Sequence, residues 1–167
     1  MKHKSGVAAA IACGAVSALL VTLPALANPT PSPSHQAQVE QHSKEVMPFD
    51  LNRTMHIFTP TNNGGVQIVM VHDGDPQQIA LVRSHLRKEA RAFARGDFRD
   101  PAAIHGNNMA GLSQLRAGAK RIAISYGATS NGASITYKTS DPSLIAAIHR
   151  WFAAQVYDHG AHAMMAH

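Results

Sequence analysis

The C-terminal end of the chain concentrates side chains that bind transition metals. Residues 159–167 contain His159, His162 and His167 together with Met164 and Met165. Imidazole suits copper, zinc and nickel alike, whereas a thioether selects the softer Cu(I). Because short histidine-rich tracts also occur in tails that carry no site, this pattern alone is a compositional indication.

Two further positions extend the pattern into the body of the chain. His105 and Met109 stand four residues apart, and on a helix that spacing places imidazole and thioether on one face. His159 lies seven residues after Phe152 and continues the apolar stripe of the last predicted helix. We therefore predict that His105, Met109 and His159 converge in one metal site. The alternatives are core packing for Met109 and, for His159, a helix that ends at Asp158, so that the imidazole only complements the helix dipole.

Other histidines are candidates for the same site. His56 shares strand parity with Phe58 and should face the helix layer, where it either binds the metal or bonds to a backbone carbonyl. His85 flanks the apolar stripe of the first predicted helix and is either a further ligand or a solvated surface residue. We predict that the residues of 161–167 form a flexible capture arm, with His162, Met164, Met165 and His167 as its metal-binding side chains.

Composition and motifs exclude most other functions. The chain has 11 histidines, and Lys and Arg number 15 against 10 Asp and Glu, but the basic residues do not cluster with aromatic ones. We therefore expect no nucleic-acid binding. The chain contains no G-x-S-x-G, H-E-x-x-H, C-x-x-C-H or Walker motif, and no paired carboxylates that indicate acid–base catalysis. We predict that the protein is not an enzyme.

Residues 1–27 have the pattern of a secretory signal peptide. A basic start precedes an uncharged apolar stretch, and Ala25-Leu26-Ala27 supplies a cleavage pattern. The alternative is an uncleaved membrane anchor, because the apolar stretch approaches the length of a membrane span. We predict cleavage after Ala27, a periplasmic or secreted location, and no membrane association after cleavage. The single cysteine, Cys13, lies in this segment, so the exported part has no disulfide or thiolate chemistry.

The rest of the chain predicts a duplicated α+β domain. Residues 28–46 are rich in Pro, Ser and Gln and are expected to form a flexible leader to a domain at 47–160. Within the domain, two units at about 54–95 and 120–157 correspond at a spacing of 66 residues. Each has two β-rich runs around an Asn/Gly turn, and an Asp-Pro step, at Asp75 or Asp141, then opens an amphipathic helix.

These units predict a two-layer sandwich. Its sheet has four antiparallel strands, and two main helices, at about 76–94 and 142–157, lie on one face. A short helix is expected at 109–115 between the units. The alternative to duplication is two β-β-α units that share capping chemistry by chance.

Four segments carry a resemblance to a known group of proteins. They are residues 47–56 (MPFDLNRTMH), 64–67 (GGVQ), 100–106 (DPAAIHG) and 158–160 (DHG). Together they resemble small secreted proteobacterial proteins of unknown function, over the whole predicted domain. Some of those proteins carry the name aspartate carbamoyltransferase. The present sequence is far shorter than that enzyme and lacks its Ser-Thr-Arg-Thr carbamoyl-phosphate loop, so the resemblance implies neither an activity nor a site.

The function that the sequence favours is metal binding. We predict a periplasmic copper-binding protein, with Cu(I) or Cu(II), that acts in buffering, delivery or tolerance and exchanges the ion with a periplasmic donor or acceptor protein. One alternative is a non-covalent haem-binding protein with one His and one Met as axial ligands, although aromatic residues make up only 5% of the chain. The other is a metal-free interaction module whose histidines respond to pH.

Overall fold

The computed structural model describes residues 33–167 and, ahead of them, Met1 alone. The predicted signal peptide and the first residues of the predicted leader lie outside the described residues. The described part contains five α-helices and five β-strands, in the order α1 (Pro33–Val46), β1 (Thr54–Thr61), β2 (Gly64–Val71), α2 (Pro76–Ala94), α3 (Arg99–His105), α4 (Leu112–Gly118), β3 (Ala123–Thr129), β4 (Gly132–Lys138), α5 (Pro142–His159) and β5 (Ala163–Met165). Short 3-10 turns occur at Leu51–Arg53, Ala119–Arg121 and Gly160–His162. No helix in residues 33–167 is both long enough and apolar enough to cross a membrane.

The strands form one mixed sheet in the order β3-β4-β2-β1-β5. The hairpins β1–β2 and β3–β4 are antiparallel, and β2 pairs antiparallel with β4 between them. The fifth strand lies parallel to β1, with Ala163 opposite His56 and Met165 opposite Phe58. The prediction of a four-stranded, wholly antiparallel sheet is therefore wrong. Residues 163–165 satisfy backbone groups on the edge of β1 that would otherwise stay unpaired, so this segment is a strand and not a flexible tail.

Both main helices begin where the Asp-Pro steps predict. The side chain of Asp75 accepts hydrogen bonds from the backbone N–H groups of the first turn of α2, and Asp141 does the same for α5. Proline then occupies the first helical position, where no N–H is needed. Helix α5 continues to His159, two residues beyond its predicted end at Tyr157.

Both main helices pack on the same face of the sheet. Phe93 of α2 and Trp151 of α5 each contact the ring of Tyr137 on β4, with centroid distances of 6.5 and 5.6 Å. The inner face of the sheet supplies alternate buried residues, namely Thr54, His56, Phe58, Gln67, Val69, Val71, Ala133, Ile135 and Tyr137. The buried stripe of α5 differs in part from the prediction, since Ile145 and Val156 are only half-buried.

The segment predicted as a flexible leader is helical from Pro33 onward. Helix α1 buries Val39 and Ser43, and Nε2 of Gln36 donates a hydrogen bond of 3.0 Å to the carbonyl of Tyr157 on α5. The prediction for residues 33–46 is therefore wrong. Composition indicated disorder because the helix has few apolar residues, yet its contacts with α3 and α5 hold it in place.

The stretch between the units contains two short helices where one was predicted. Helix α3 ends at His105 because Gly106 adopts a φ of +88° and breaks the helix. Helix α4 begins at Leu112, three residues later than the predicted start at Met109. His105 and Met109 therefore do not share a helix, and the predicted pairing of their side chains on one helical face is wrong.

Candidate metal centre

Three buried imidazoles meet where β1, α3 and α5 come together. The ring centroid of His159 lies 5.0 Å from that of His56 and 4.8 Å from that of His105. His56 is 2% exposed, His159 is 6% exposed, and the side chain of His105 is 1% exposed. We call these three residues the imidazole cluster.

Each ring reaches the cluster for a local reason. His56 alternates with Thr54 and Phe58 on β1 and so faces the helix layer. Phe152, Gln155 and His159 follow one another at spacings of three and four residues, so all three lie on the buried side of α5. His105 is the last residue of α3, so its position depends on where that helix ends.

Asp158 orients one ring of the cluster. Its Oδ2 lies 2.8 Å from Nδ1 of His105, and its Oδ1 lies 2.8 Å from Nε2 of His35 on α1. Burial alone would raise the pKa of Asp158, but the hydrogen bonds with His105 and His35 outweigh that effect and hold the pKa below its ordinary value. An ionised carboxylate only accepts hydrogen bonds, so Nδ1 of His105 is the donor in its bond to Asp158. In the neutral form of this ring, Nε2 then carries the lone pair that can bind a metal ion.

The other two rings are neutral and incompletely bonded. Burial lowers the pKa of His56 to about 3, and neighbouring histidines add to the effect. Burial also places the pKa of His159 well below its ordinary value. Among residues 33–167, Nε2 of His56 and Nε2 of His159 are buried side-chain atoms with no hydrogen-bond partner. A buried polar atom without a partner destabilises the fold by roughly 1–3 kcal/mol. These two nitrogens are therefore unfavourable if the histidines have a purely structural role.

The rings are close, but their nitrogens do not yet aim at one point. The planes of His56 and His159 are inclined at 45°, and those of His105 and His159 at 90°. Within residues 33–167, no three or more His, Cys, Asp or Glu side chains are already arranged to hold a metal ion. Any metal site here therefore requires the rings to turn.

Comparisons with known proteins add no relative. No protein family, no characterised protein and no solved structure matches this chain.

His85 lies beside the cluster but is separated from it by an aromatic ring. The ring of Phe49 contacts His56 at a centroid distance of 6.0 Å and His85 at 5.6 Å. Burial lowers the pKa of His85 to about 4, and the nearby Lys88 contributes in the same direction. His85 therefore lies near the cluster, with Phe49 packed between the two imidazoles.

The predicted sulfur ligands lie elsewhere. Met109 belongs to the hydrophobic core and lines neither of the two cavities that cluster histidines border. Met164 is 46% exposed opposite Ile57, while Met165 packs against the core opposite Phe58. In the parallel register both are displaced along the strand from His56, which pairs with Ala163.

The two tail histidines have different surroundings. His162 is half-buried and shares a cavity of about 280 Å³ with His159, Asp158 and Glu40. His167 is exposed at the end of the chain. Of the two tail histidines, His162 is the one that lines this cavity together with His159.

Sequence reasoning missed three polar residues of this region. The sequence indicates Asp158 only as a helix end and places His35 in the predicted flexible leader. Glu89 lies on the buried stripe of α2 between Leu86 and Phe93, where its side chain is only 7% exposed. A carboxylate at a core position of an amphipathic helix is the signal that would have identified it.

Proposed function

We propose that the protein binds a transition-metal ion, copper in preference, through Nε2 of His56, His105 and His159. The observation that carries the proposal is the meeting of three buried imidazoles, one of which is oriented by the carboxylate of Asp158. Metal-binding histidines commonly donate their second ring N–H to a carboxylate in this way, which fixes the tautomer and strengthens the ligand.

The spacing of the rings supports this proposal. Metal–imidazole bonds of about 2 Å place the centroids of two rings on one tetrahedral ion about 5 Å apart. The two measured centroid distances, 5.0 and 4.8 Å, agree with that separation. Rotation of a histidine ring about its last side-chain bond has a broad torsional profile, so the torsion itself offers little resistance to turning His56 and His159, while the hydrogen bond to Asp158 holds His105.

Copper is favoured by the ligand type. Three nitrogens without a thioether do not select Cu(I), but among divalent first-row ions Cu(II) binds such ligands most tightly. We therefore rank Cu(II) first and treat Cu(I) and Zn(II) as comparison ions. Since the thioethers lie outside the cluster, the selective Cu(I) site expected from the His/Met pattern is not part of this proposal.

The biological setting of the proposal rests on the signal-peptide pattern. We propose a periplasmic or secreted protein that buffers or delivers copper or confers tolerance to it, and that exchanges the ion with a donor or acceptor protein. The cavity lined by Glu40, His162 and His159 provides a route between the surface and the cluster. A half-buried histidine at this position suits transient capture of an ion on its way to His159.

Haem receives less support from the geometry. The core cavity beside His56 and His105 measures about 40 Å³, which is room for a few water molecules and not for a macrocycle. The predicted His/Met axial pair also lacks its partner, because Met109 does not border that cavity. The burial of the three cluster histidines removes them from any metal-free interaction surface, which would have to use exposed histidines such as His72 and His167.

We also propose that the two β-β-α units arose by duplication. At the spacing of 66 residues Ile68 corresponds to Ser134, and these two residues pair directly in the β2–β4 ladder, as a two-fold relation requires. The same spacing equates His159 with Phe93, a buried core residue. Superposition of the two units checks this idea, which is wrong if Phe93 and His159 do not coincide.

The experiment that tests the metal proposal is a titration of the chain purified without an affinity tag. We expect one equivalent of Cu(II) to bind tightly, with weaker Zn(II) binding and no haem spectrum. Replacing His159 by Phe, the residue of the first unit, should weaken copper binding by more than about 100-fold, because one of three ligands is lost. The fold should persist, since the variant also removes a buried nitrogen without a partner.

The matched control is His72→Asn, which removes an exposed histidine that follows the end of β2. It should bind copper as the wild type does. Equal copper affinity in His159→Phe and the wild type contradicts the proposal, as does an affinity loss of the same size in His72→Asn. Circular dichroism and thermal unfolding of both variants separate loss of binding from loss of fold.

A further inference from the structure

A small cavity borders His56 and His105 of the imidazole cluster, and His159 is not among its lining residues. The cavity, of about 40 Å³, lies between α2, α3 and the inner face of the sheet, and His56 and His105 form part of its wall. The carboxamides of Gln67 and Gln155 also line it, and these residues are 9% and 5% exposed. Since a water molecule needs roughly 10–15 Å³, the cavity has room for two or three atoms of that size.

Glu89 also forms part of the wall of this cavity. Its side chain is 7% exposed, and within the described residues its Oε1 has no hydrogen-bond partner. The nearest cation, Nζ of Lys88, is 3.6 Å from Oε1 and beyond hydrogen-bond length. The protonated carboxyl group can bond to Asp100, and an atom of Glu89 left without a partner in the cavity wall can bond to a group inside the cavity.

The surroundings of Glu89 suit a group that both donates and accepts hydrogen bonds. Burial raises its pKa to about 7, and the neighbouring Asp100 carboxylate adds to the effect. Lys88 acts in the opposite direction and lowers the pKa of Glu89. It lies on the exposed side, where its Nζ is 2.7 Å from Oδ2 of Asp100. Near neutral pH the carboxyl group is therefore present in both protonated and ionised forms.

We propose that this cavity is the open coordination position of the imidazole site and admits a small ligand that Glu89 hydrogen-bonds from the cavity wall. The inference rests on the proposed function, because the ligand would be held between the bound metal and Glu89. The class of ligand is a lone-pair donor of one to three heavy atoms, namely water or a small anion. A three-ligand metal site with such a position is of the open type and not of the closed structural type.

The cavity wall explains why the ligand must be small. Phe49 and Phe93 close the space with apolar rings, and Ile104 and Pro101 from α3 limit it on another side. A larger organic molecule would have to displace these core residues. Water or a triatomic anion fits without such a change.

The test uses azide as the probe and the Cu(II)-loaded full chain. Azide bound to Cu(II) produces a charge-transfer band, so its affinity is read from a visible titration at constant pH. We expect the wild type to bind azide, and Glu89→Met to bind it at least tenfold more weakly while copper affinity stays within threefold. The control Glu45→Met removes an exposed carboxylate at the end of α1, outside both cavities, and should leave azide affinity unchanged.

The outcomes separate the two proposals. If the wild type binds no copper, the proposed function fails and the open position fails with it. If copper binds but azide does not change the spectrum, the metal proposal stands and the open position is refuted. Equal azide affinity in Glu89→Met and the wild type likewise overturns the assignment of Glu89. Thermal unfolding verifies that Glu89→Met is folded, which we expect because the variant removes a buried carboxyl group without full bonding.

Discussion

Oδ2 of Asp158 lies 2.8 Å from Nδ1 of His105, although 53 residues separate the two in sequence. This contact joins the end of α5 to the end of α3 and fixes which nitrogen of His105 is available to a ligand. It also places a negative charge behind the ring, where it would offset the charge of a bound cation. The adjacent residue, His159, contributes its own ring to the same cluster.

The first prediction concerns this carboxylate. We expect Asp158→Asn to lower copper affinity by about 10–100-fold, because the amide no longer fixes the tautomer of His105 or balances the charge of the ion. The three imidazoles remain in place, so one equivalent should still bind. A competition titration against a chelator of known affinity measures the change.

The control for this prediction is Asp73→Asn. Asp73 is another ion-paired carboxylate, bonded to Arg53 at 2.8 Å, but it lies near the start of α2 and not in the cluster. Its replacement should leave copper affinity unaltered. An Asp158→Asn variant that binds copper as tightly as the wild type would remove Asp158 from the site.

The second prediction concerns acid stability. The folded-state pKa of His56 is about 3 against an ordinary value of 6.5, so between these values the unfolded chain binds a proton that the folded chain excludes. The contribution to stability is therefore fully present above pH 6.5 and is lost as the pH falls toward 3. The expected slope is up to about 1.4 kcal/mol per pH unit for this residue.

Two variants of the metal-free protein should change the pH dependence of the unfolding free energy in opposite directions. Glu89 acts in the opposite direction, because its folded-state pKa of about 7 exceeds its ordinary 4.5 and its contribution is lost as the pH rises. Between pH 4.5 and 6.5, His56→Leu should reduce the gain of stability with pH, and Glu89→Gln should increase it. Urea unfolding at several pH values measures both slopes. Parallel curves for His56→Leu and the wild type would show that His56 is not excluded from protonation.

The third prediction separates the tail from the core site. Because His167 is exposed and His162 lies outside the cluster, the double variant His162→Ala/His167→Ala should bind copper within about threefold of the wild type. Removing residues 163–167 should instead destabilise the fold by about 2 kcal/mol, since β5 pairs with β1 and buries Ala163. Isothermal copper titration and urea unfolding of the two variants provide the measurements. Loss of tight binding in the double variant would assign copper to the tail histidines.

Local chemistry was enough to predict the main elements. Aspartate followed by proline caps a helix with groups that lie within three residues, so the starts at Pro76 and Pro142 could be read directly. Strand alternation likewise placed His56 on the inner face, because the period of two depends only on neighbouring residues. Helical spacing brought His159 onto the buried stripe of α5 in the same way.

Contacts between distant segments decided what the sequence left open. Composition could not indicate that α1 would dock through Gln36 and Tyr157, nor that Ala163 would pair beside His56, since both depend on surfaces formed by other elements. The break at Gly106 separated Met109 from His105, and the fold supplied Asp158 as the partner of His105. Sequence periodicity thus determined which side chains face inward. Tertiary packing determined which of them meet, because a shared site requires its elements to end at the same point in space.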